Sequence, residues 1–107
     1  KKMLTELADM LQTVYQEKLK AVILYGSVAR GTATDESDID AMVLVDGTDQ
    51  ELRMFEDKLS DVSTDISIKY FKVFSIIDVS YQEYMMWMTI SPFYRNVSEE
   101  GVVLYAA

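Results

Sequence analysis

Apolar residues recur along the chain in two patterns, one typical of amphipathic helices and one typical of buried strands. Spacings of three and four residues predict a helix over about 3–19 and a longer helix over about 49–70. Short apolar runs predict buried strands at 21–25, 39–45 and 73–79, the first of them stopped by a glycine. The chain is therefore predicted to alternate between helix and strand.

Capping and turn signals place further elements. Ser80 begins a Ser-Tyr-Gln-Glu sequence, a capping box in which side chains satisfy free backbone donors, so a helix is predicted to start there. Ser91 followed by Pro92 is typical of another helix start, and Gly101 is typical of a helix end. Residues 27–31 are expected to form one short helical turn.

The order of elements predicts an α/β (α+β) fold with a small mixed β-sheet flanked by helices. Three strands are predicted, and residues 102–105 are apolar enough for a short fourth strand. A chain of 107 residues is long enough for one hydrophobic core and too short for two. We therefore expect residues 1–107 to form a single domain.

Composition narrows the available chemistry. The chain has no cysteine and no histidine, which excludes disulfides, thiolate zinc sites, thiol catalysis and the commonest general base. Catalysis would therefore use carboxylates, hydroxyls, lysine, arginine and a hard cation. The 18 acidic and 10 basic residues give a net charge of −8, which disfavours a nucleic acid polymer as partner.

The sequence also contains no recognisable membrane or export signal. No apolar run approaches the roughly 20 residues that a membrane span needs, and the first residues do not have the pattern of a signal peptide. We therefore expect a cytoplasmic protein with no membrane partner.

Two short motifs, Gly26-Ser27 and Asp38-Ile39-Asp40, carry the candidate chemistry. Gly26 ends a predicted strand where a side chain would block close approach, and Ser27 opens the helical turn, whose free N–H groups favour a phosphate. Asp38 and Asp40 alternate at the start of a predicted strand, so both carboxylates point to one face. Two carboxylates this close repel each other unless a cation lies between them. Mg²⁺ suits such a pair because phosphate oxygens and water complete the coordination shell of the metal.

Each motif also has a purely structural interpretation. Gly26-Ser27 alone could be a plain strand-to-helix turn in which Ser27 is the cap. The two aspartates could end a solvated acidic loop that includes Asp35 and Glu36. The occurrence of both motifs at this spacing favours a nucleotide and metal site.

The two motifs resemble a known family signature. Residues 26–31, Gly-Ser-Val-Ala-Arg-Gly, followed by 37–40, Ser-Asp-Ile-Asp, resemble the signature of the DNA polymerase β-type nucleotidyltransferase superfamily. The chain is especially similar to the stand-alone minimal nucleotidyltransferases (MNT), whose end the tail at 92–102 also resembles. The resemblance covers about residues 21–105 and implies the polymerase β-like nucleotidyltransferase fold.

The resemblance implies a role for each residue of the two motifs. Gly26 and Ser27 would hold the β- and γ-phosphates of the nucleotide, and Asp38 and Asp40 would bind Mg²⁺. The family also uses a third carboxylate on a neighbouring strand, which aligns the attacking hydroxyl and helps to hold a second metal. Asp78 is our candidate because it interrupts an otherwise apolar strand; the alternative is that it caps the following helix.

Two further features allow more than one role. Arg30 could contact the triphosphate, or it could pair with Asp35, Glu36 or Asp40 and order the loop. The cluster at 84–88, Tyr-Met-Met-Trp-Met, could belong to the core, form a protein interface or offer a platform on which a base stacks.

The resemblance implies an enzyme that uses Mg²⁺ to move AMP from ATP, or from another nucleoside triphosphate, to a hydroxyl of a partner protein. Without histidine, Asp78 would be the candidate proton acceptor. Minimal nucleotidyltransferases are commonly paired with a small helical HEPN-domain protein, often an RNase toxin, so an antitoxin role is implied. Two alternatives stay open: nucleotidylation of a small molecule such as an aminoglycoside, which the short chain disfavours, and a non-catalytic nucleotide-binding subunit.

Overall fold

A four-stranded mixed sheet with helices against both faces forms the framework of the structure, a computed structural model that describes residues 2–107. The strands are β1 (Leu19–Tyr25), β2 (Ile39–Val45), β3 (Phe74–Ser80) and β4 (Val102–Ala106). The helices are α1 (Lys2–Tyr15), α2 (Ser27–Arg30), α3 (Asp49–Arg53), α4 (Glu56–Tyr70), α5 (Tyr81–Trp87) and α6 (Pro92–Glu100), and a 3₁₀ turn (Gln16–Lys18) joins α1 to β1. None of the helices within residues 2–107 combines the length and the apolar character that crossing a bilayer requires.

The sheet has the spatial order β3-β2-β1-β4, so β1 and β2 are its central strands. Strand β1 runs antiparallel to both β2 and β4, whereas β2 and β3 are parallel. The α/β prediction with a mixed sheet of three to four strands is therefore confirmed, and the apolar segment near the end of the chain is the fourth strand.

The two faces of the sheet bury separate hydrophobic clusters. One face of β2, which includes Val43, packs with α1 and α4 in the larger cluster, while the other face, which includes Met42, packs with α5 and α6. Residues 41–45 of β2 are all buried because helices cover both of its faces. This arrangement explains why β2 is a continuous apolar run rather than an alternating one.

The predicted helix over 49–70 is interrupted, and the prediction of one continuous helix is wrong at this point. The chain tightens after α3, where the N–H of Phe55 donates to the Leu52 carbonyl at 2.9 Å. The Phe55 ring packs against Tyr15, with ring centroids 4.8 Å apart, so tertiary contact fixes the break. Thr48 and Glu51 form a complete capping box at the start of α3, a signal that the sequence analysis missed.

The other helix boundaries follow their local signals more closely. Ser80 and Ser91 cap α5 and α6 by accepting hydrogen bonds from backbone N–H groups, and Pro92 occupies the first turn of α6, as predicted. The first helix ends at Tyr15 rather than near residue 19, because Leu19 is buried in β1 opposite Val45.

Gly101 connects α6 to β4 where the backbone passes very close to β1. Its φ of −69° is open to any residue, so glycine is not required here for a left-handed conformation. A Cβ at this position would overlap the Val97 carbonyl oxygen and lie 2.5 Å from Ile23 Cγ2. The glycine therefore lets the end of α6 press against the sheet.

We expect Gly101→Ala to destabilise the protein by about 1–3 kcal/mol, because the added methyl group has no space and α6 or β1 must shift. Urea unfolding monitored by circular dichroism measures this loss. Ser98→Ala changes an exposed residue of helix α6. It is the matched control and should leave the stability nearly unchanged. Equal stability of Gly101→Ala and the wild type would show that this junction is not tightly packed.

Candidate functional site

The antiparallel pairing of β1 and β2 brings the two motifs of the sequence together. Tyr25, the last residue of β1, is the register partner of Asp40 near the start of β2. The Gly26-Ser27 turn therefore leaves the sheet at the same edge where the chain through Asp38 enters it. The predicted meeting of these two segments is a consequence of register.

Gly26 lies directly against the Asp40 carboxylate. Its φ of 75° and ψ of −151° lie in a region that side chains strongly disfavour. A Cβ there would lie 2.6 Å from Asp40 Oδ2, inside van der Waals contact. The turn is held by the Arg30 N–H, which donates to the Gly26 carbonyl at 3.1 Å, and the Ser27 hydroxyl makes no hydrogen bond within residues 2–107.

Asp38 and Asp40 interact electrostatically at the start of β2. Asp38 is exposed and Asp40 is half-buried. Burial raises the pKa of the Asp40 carboxyl, the negative charge of Asp38 raises it further, and the positive charge of Arg30 opposes both effects. Two mutually repelling carboxylates beside open backbone fit a hard divalent cation such as Mg²⁺, which takes few protein ligands and completes its shell with phosphate oxygens and water.

Arg30 lies beside this pair and extends the site toward helix α6. Its guanidinium forms an exposed ion pair with Glu100, with 3.9 Å between Nη1 and Oε1. Among the described residues the ion-pair partner is thus Glu100, and not Asp35 or Glu36 as one alternative proposed. The effect of Arg30 on the pKa of Asp40 shows that its charge also reaches the carboxylate pair.

Asp78 lies on the other face of the sheet, and the prediction that it joins Asp38 and Asp40 is wrong. Its register partner on β2 is Val43, three residues beyond Asp40, and side chains three residues apart on a strand point to opposite faces. The carboxylate instead accepts a hydrogen bond from the Tyr15 hydroxyl at 2.9 Å. The alternative that it caps the following helix also fails, because the Ser80 side chain is the cap.

The strand next to Asp40 offers no third carboxylate. Ser75 is the register partner of Asp40, and Ile77 is the next residue of β3 on that face. Within residues 2–107, no three histidine, cysteine, aspartate or glutamate side chains are placed to share a metal ion. The described part of the chain therefore offers two carboxylates at this site.

The cluster at 84–88 is divided between core and surface. Tyr84 is buried, whereas Met85, Met86 and Trp87 are largely exposed. A small cleft lies beside Gly26, and none of these residues lines it, so the structure does not support the base-stacking alternative. The interface alternative stays a prediction.

Three residues of α6 that approach the site were not among the predicted site residues. Phe93, Asn96 and Glu100 line a cleft together with Tyr25, Gly26 and Arg30. The three α6 residues are spaced by three and four, which places them on one helix face, and this spacing is the signal that could have found them.

We expect Asp78→Asn to leave the Gly26–Asp40 arrangement unchanged and to keep or raise stability at pH 7. Burial raises the pKa of Asp78, so the folded state loses stability as the pH rises through that pKa. The neutral amide removes this cost and still accepts the Tyr15 hydrogen bond. The difference from the wild type should vanish well below the ordinary aspartate pKa of about 3.9, where both side chains are neutral.

Urea unfolding between pH 3 and 8 measures this difference in stability. Asp78→Ala is the control, because it leaves the buried Tyr15 hydroxyl without its partner and should cost about 1–3 kcal/mol. An Asp78→Asn protein that is clearly less stable than the wild type at pH 7 would show that the buried charge of Asp78 stabilises the fold.

Comparison with known proteins places this geometry in a family. The family described as "Polymerase beta, Nucleotidyltransferase" matches residues 6–106. A protein of Methanocaldococcus jannaschii, described as a candidate protein adenylyltransferase, is 36% identical over 104 residues, which are 97% of this chain and 96% of that protein. A second protein of that organism with the same description is 36% identical over 62 residues, 56% of this chain and 59% of its own length.

Solved structures share the fold at lower sequence identity. A mutant of the toxin–antitoxin pair MntA-HpeT has a TM-score of 0.63 and 18% identity, covering 97% of this chain and 73% of that chain. A complex of an MNT antitoxin with the tri-AMPylated HEPN toxin of Shewanella oneidensis has a TM-score of 0.58 and 17% identity, covering 98% and 71%. A toxin–antitoxin structure with AMP-PNP has a TM-score of 0.56 and 20% identity, covering 96% and 73%.

The family match, the close relative and the shared fold all agree with the arrangement of the two motifs. This chain belongs to the polymerase beta nucleotidyltransferase family, and it is a nucleotidyltransferase.

Proposed function

We propose that this nucleotidyltransferase uses Mg²⁺ to transfer AMP from ATP to a hydroxyl of a partner protein. The observation that carries the proposal is the contact between Gly26 and Asp40, which joins an open backbone turn to the two carboxylates. The relative described as a candidate protein adenylyltransferase supports both the nucleotide and the protein acceptor, because it matches almost the whole chain.

The residues of the two motifs would divide the binding of ATP between them. The backbone at Gly26 and the hydroxyl of Ser27 would hold the β- and γ-phosphates, since a bare backbone lets phosphate oxygens approach closely. Asp38 and Asp40 would hold Mg²⁺, and the positive charge of Arg30 lies close enough to favour bound phosphate. Bound Mg²⁺ would neutralise phosphate charge and stabilise the leaving oxygen.

The transfer forms one bond and breaks one bond at the α-phosphorus. The acceptor oxygen bonds to that phosphorus, the bond from phosphorus to the oxygen bridging the β-phosphate breaks, and pyrophosphate leaves. In this proposal the proton of the acceptor hydroxyl passes to solvent, because no third carboxylate of the described residues groups with Asp38 and Asp40 around one metal position and the chain contains no histidine. A tyrosine acceptor fits such a site best, since its phenol has a pKa of about 10 and ionises far more readily than an aliphatic hydroxyl.

The proposed partner is a small helical HEPN-domain protein, to which this chain would act as antitoxin. The solved MNT–HEPN complex shares the fold, and its toxin carries AMP. The surface of this chain is also suited to a protein partner, because Met85, Met86 and Trp87 are 49%, 66% and 44% exposed on one short helix. Exposed flexible methionines beside an aromatic ring are typical of protein contact surfaces.

We expect ATP binding to require Mg²⁺ and both aspartates. Calorimetry should show binding in Mg²⁺ that is lost in EDTA, and weaker binding for Asp38→Asn and Asp40→Asn. The apo form of Asp40→Asn should unfold at the same or a higher temperature, because the change removes a charge that burial and Asp38 both disfavour. Equally tight binding in EDTA would contradict the proposed metal bridge.

We also expect AMP to move from ATP to a protein acceptor. Radiolabelled α-phosphate should appear on a co-expressed HEPN-domain protein, and Asp38→Asn or Asp40→Asn should reduce its transfer by a factor of 10³ or more, roughly the scale of losing charge stabilisation at a reacting phosphate. Asp35→Asn is the matched control, because Asp35 is an exposed carboxylate in the same loop. Labelling of an aminoglycoside instead of the protein would favour the small-molecule alternative.

A further inference from the structure

A cleft of about 150 Å³ lies between the end of β1 and helix α6, directly beside the Gly26 turn. Its lining includes Tyr25, Gly26, Arg30, Phe93, Asn96 and Glu100. The cleft is smaller than the 300–1,000 Å³ typical of whole-ligand pockets, so it has room for one part of a nucleotide.

The cleft and the carboxylate site adjoin each other. Gly26 lines the cleft and also contacts the Asp40 carboxylate. Tyr25 also lines the cleft and is the register partner of Asp40, so this wall of the cleft lies next to the same carboxylate. A nucleotide with its phosphates at Gly26 can therefore place its remaining part in this cleft.

One wall of the cleft is an exposed aromatic ring. Phe93 is 44% exposed, and its ring forms a T-shaped contact with Tyr25, with centroids 5.5 Å apart and an interplanar angle of 83°. A second contact, with Tyr94 at 5.8 Å, holds the ring from the helix side. A fixed and partly exposed ring offers a stacking surface to any base.

Asn96 supplies the polar group that a base needs. It lies one turn after Phe93 on the same face of α6, and its amide makes no hydrogen bond within the described part of the chain. An amide presents a donor and an acceptor side by side, which matches the N7 acceptor and N6 donor of adenine. Guanine presents two acceptors at the same edge and satisfies only one half of the amide.

We propose that this cleft is the nucleobase subsite of the transferase, in which Phe93 stacks on the base and Asn96 selects adenine over guanine. The inference rests on the proposed function, because it needs the triphosphate at Gly26 and Asp40. The Arg30–Glu100 ion pair lies at the cleft. Its guanidinium would face the phosphates, and its carboxylate could accept hydrogen bonds from the ribose hydroxyls. An acceptor side chain such as a phenol could also stack on Phe93, but it has no edge that matches the Asn96 amide.

The test compares ATP, GTP and inorganic tripolyphosphate, each with Mg²⁺, by calorimetry. In the wild type, ATP should bind more tightly than GTP and than tripolyphosphate. Asn96→Ala should weaken ATP about tenfold and remove most of the preference over GTP, while Phe93→Ala should weaken ATP and GTP alike by about tenfold. Neither change should alter tripolyphosphate binding. Ser98→Ala, on the same helix and outside the cleft, is the control.

The outcomes separate this inference from the proposed function. If the wild type binds neither ATP nor tripolyphosphate, both are wrong. If it binds both and the two cleft variants bind ATP as the wild type does, the nucleobase subsite alone is wrong. Unchanged ATP binding with reduced AMP transfer would assign the cleft to the acceptor instead. Folding is not at risk in the asparagine variant, because an exposed helical asparagine replaced by alanine raises helix propensity.

Discussion

The register of β1 against β2 is the constraint on which the site depends. Because Tyr25 pairs with Asp40, the open turn at Gly26 and the two carboxylates meet at one edge of the sheet. A slip of one residue would turn Asp40 to the opposite face and end its contact with Gly26. The register is specified because such a slip would also turn the Asp40 carboxylate toward the face that buries the larger hydrophobic cluster.

The two faces of the sheet have different tasks. The face toward α1 and α4 buries the larger hydrophobic cluster, and the Tyr15–Asp78 hydrogen bond belongs to it. The opposite face carries Asp40 and adjoins α6. The exposed residues Phe93 and Asn96 of this helix line the cleft. The larger hydrophobic cluster therefore supplies most of the buried apolar surface on one face. The other face can keep polar, solvent-accessible side chains near the two motifs.

The sequence predicted what local pattern and spacing determine. The helical and strand periods predicted the order of the elements. The Gly-Ser and Asp-x-Asp motifs predicted two segments of the site, which the pairing of β1 with β2 brings together. Asp78 was misplaced because the face of a strand residue depends on pairing with a distant strand, which no local pattern records. The break before Phe55 was missed for the same kind of reason, since its contact with Tyr15 is tertiary.

Strand β4 affects the order in which the parts of the site come together during folding. It pairs with β1 across most of the length of the chain, and such non-local pairing is slow to form because a long loop must close first. Helix α6 joins β4 directly at Gly101, so docking of this strand helps to position one wall of the cleft. In a chain that has folded only as far as β3, Gly26 and both aspartates would already meet, whereas the cleft beside them would still lack the wall that α6 forms.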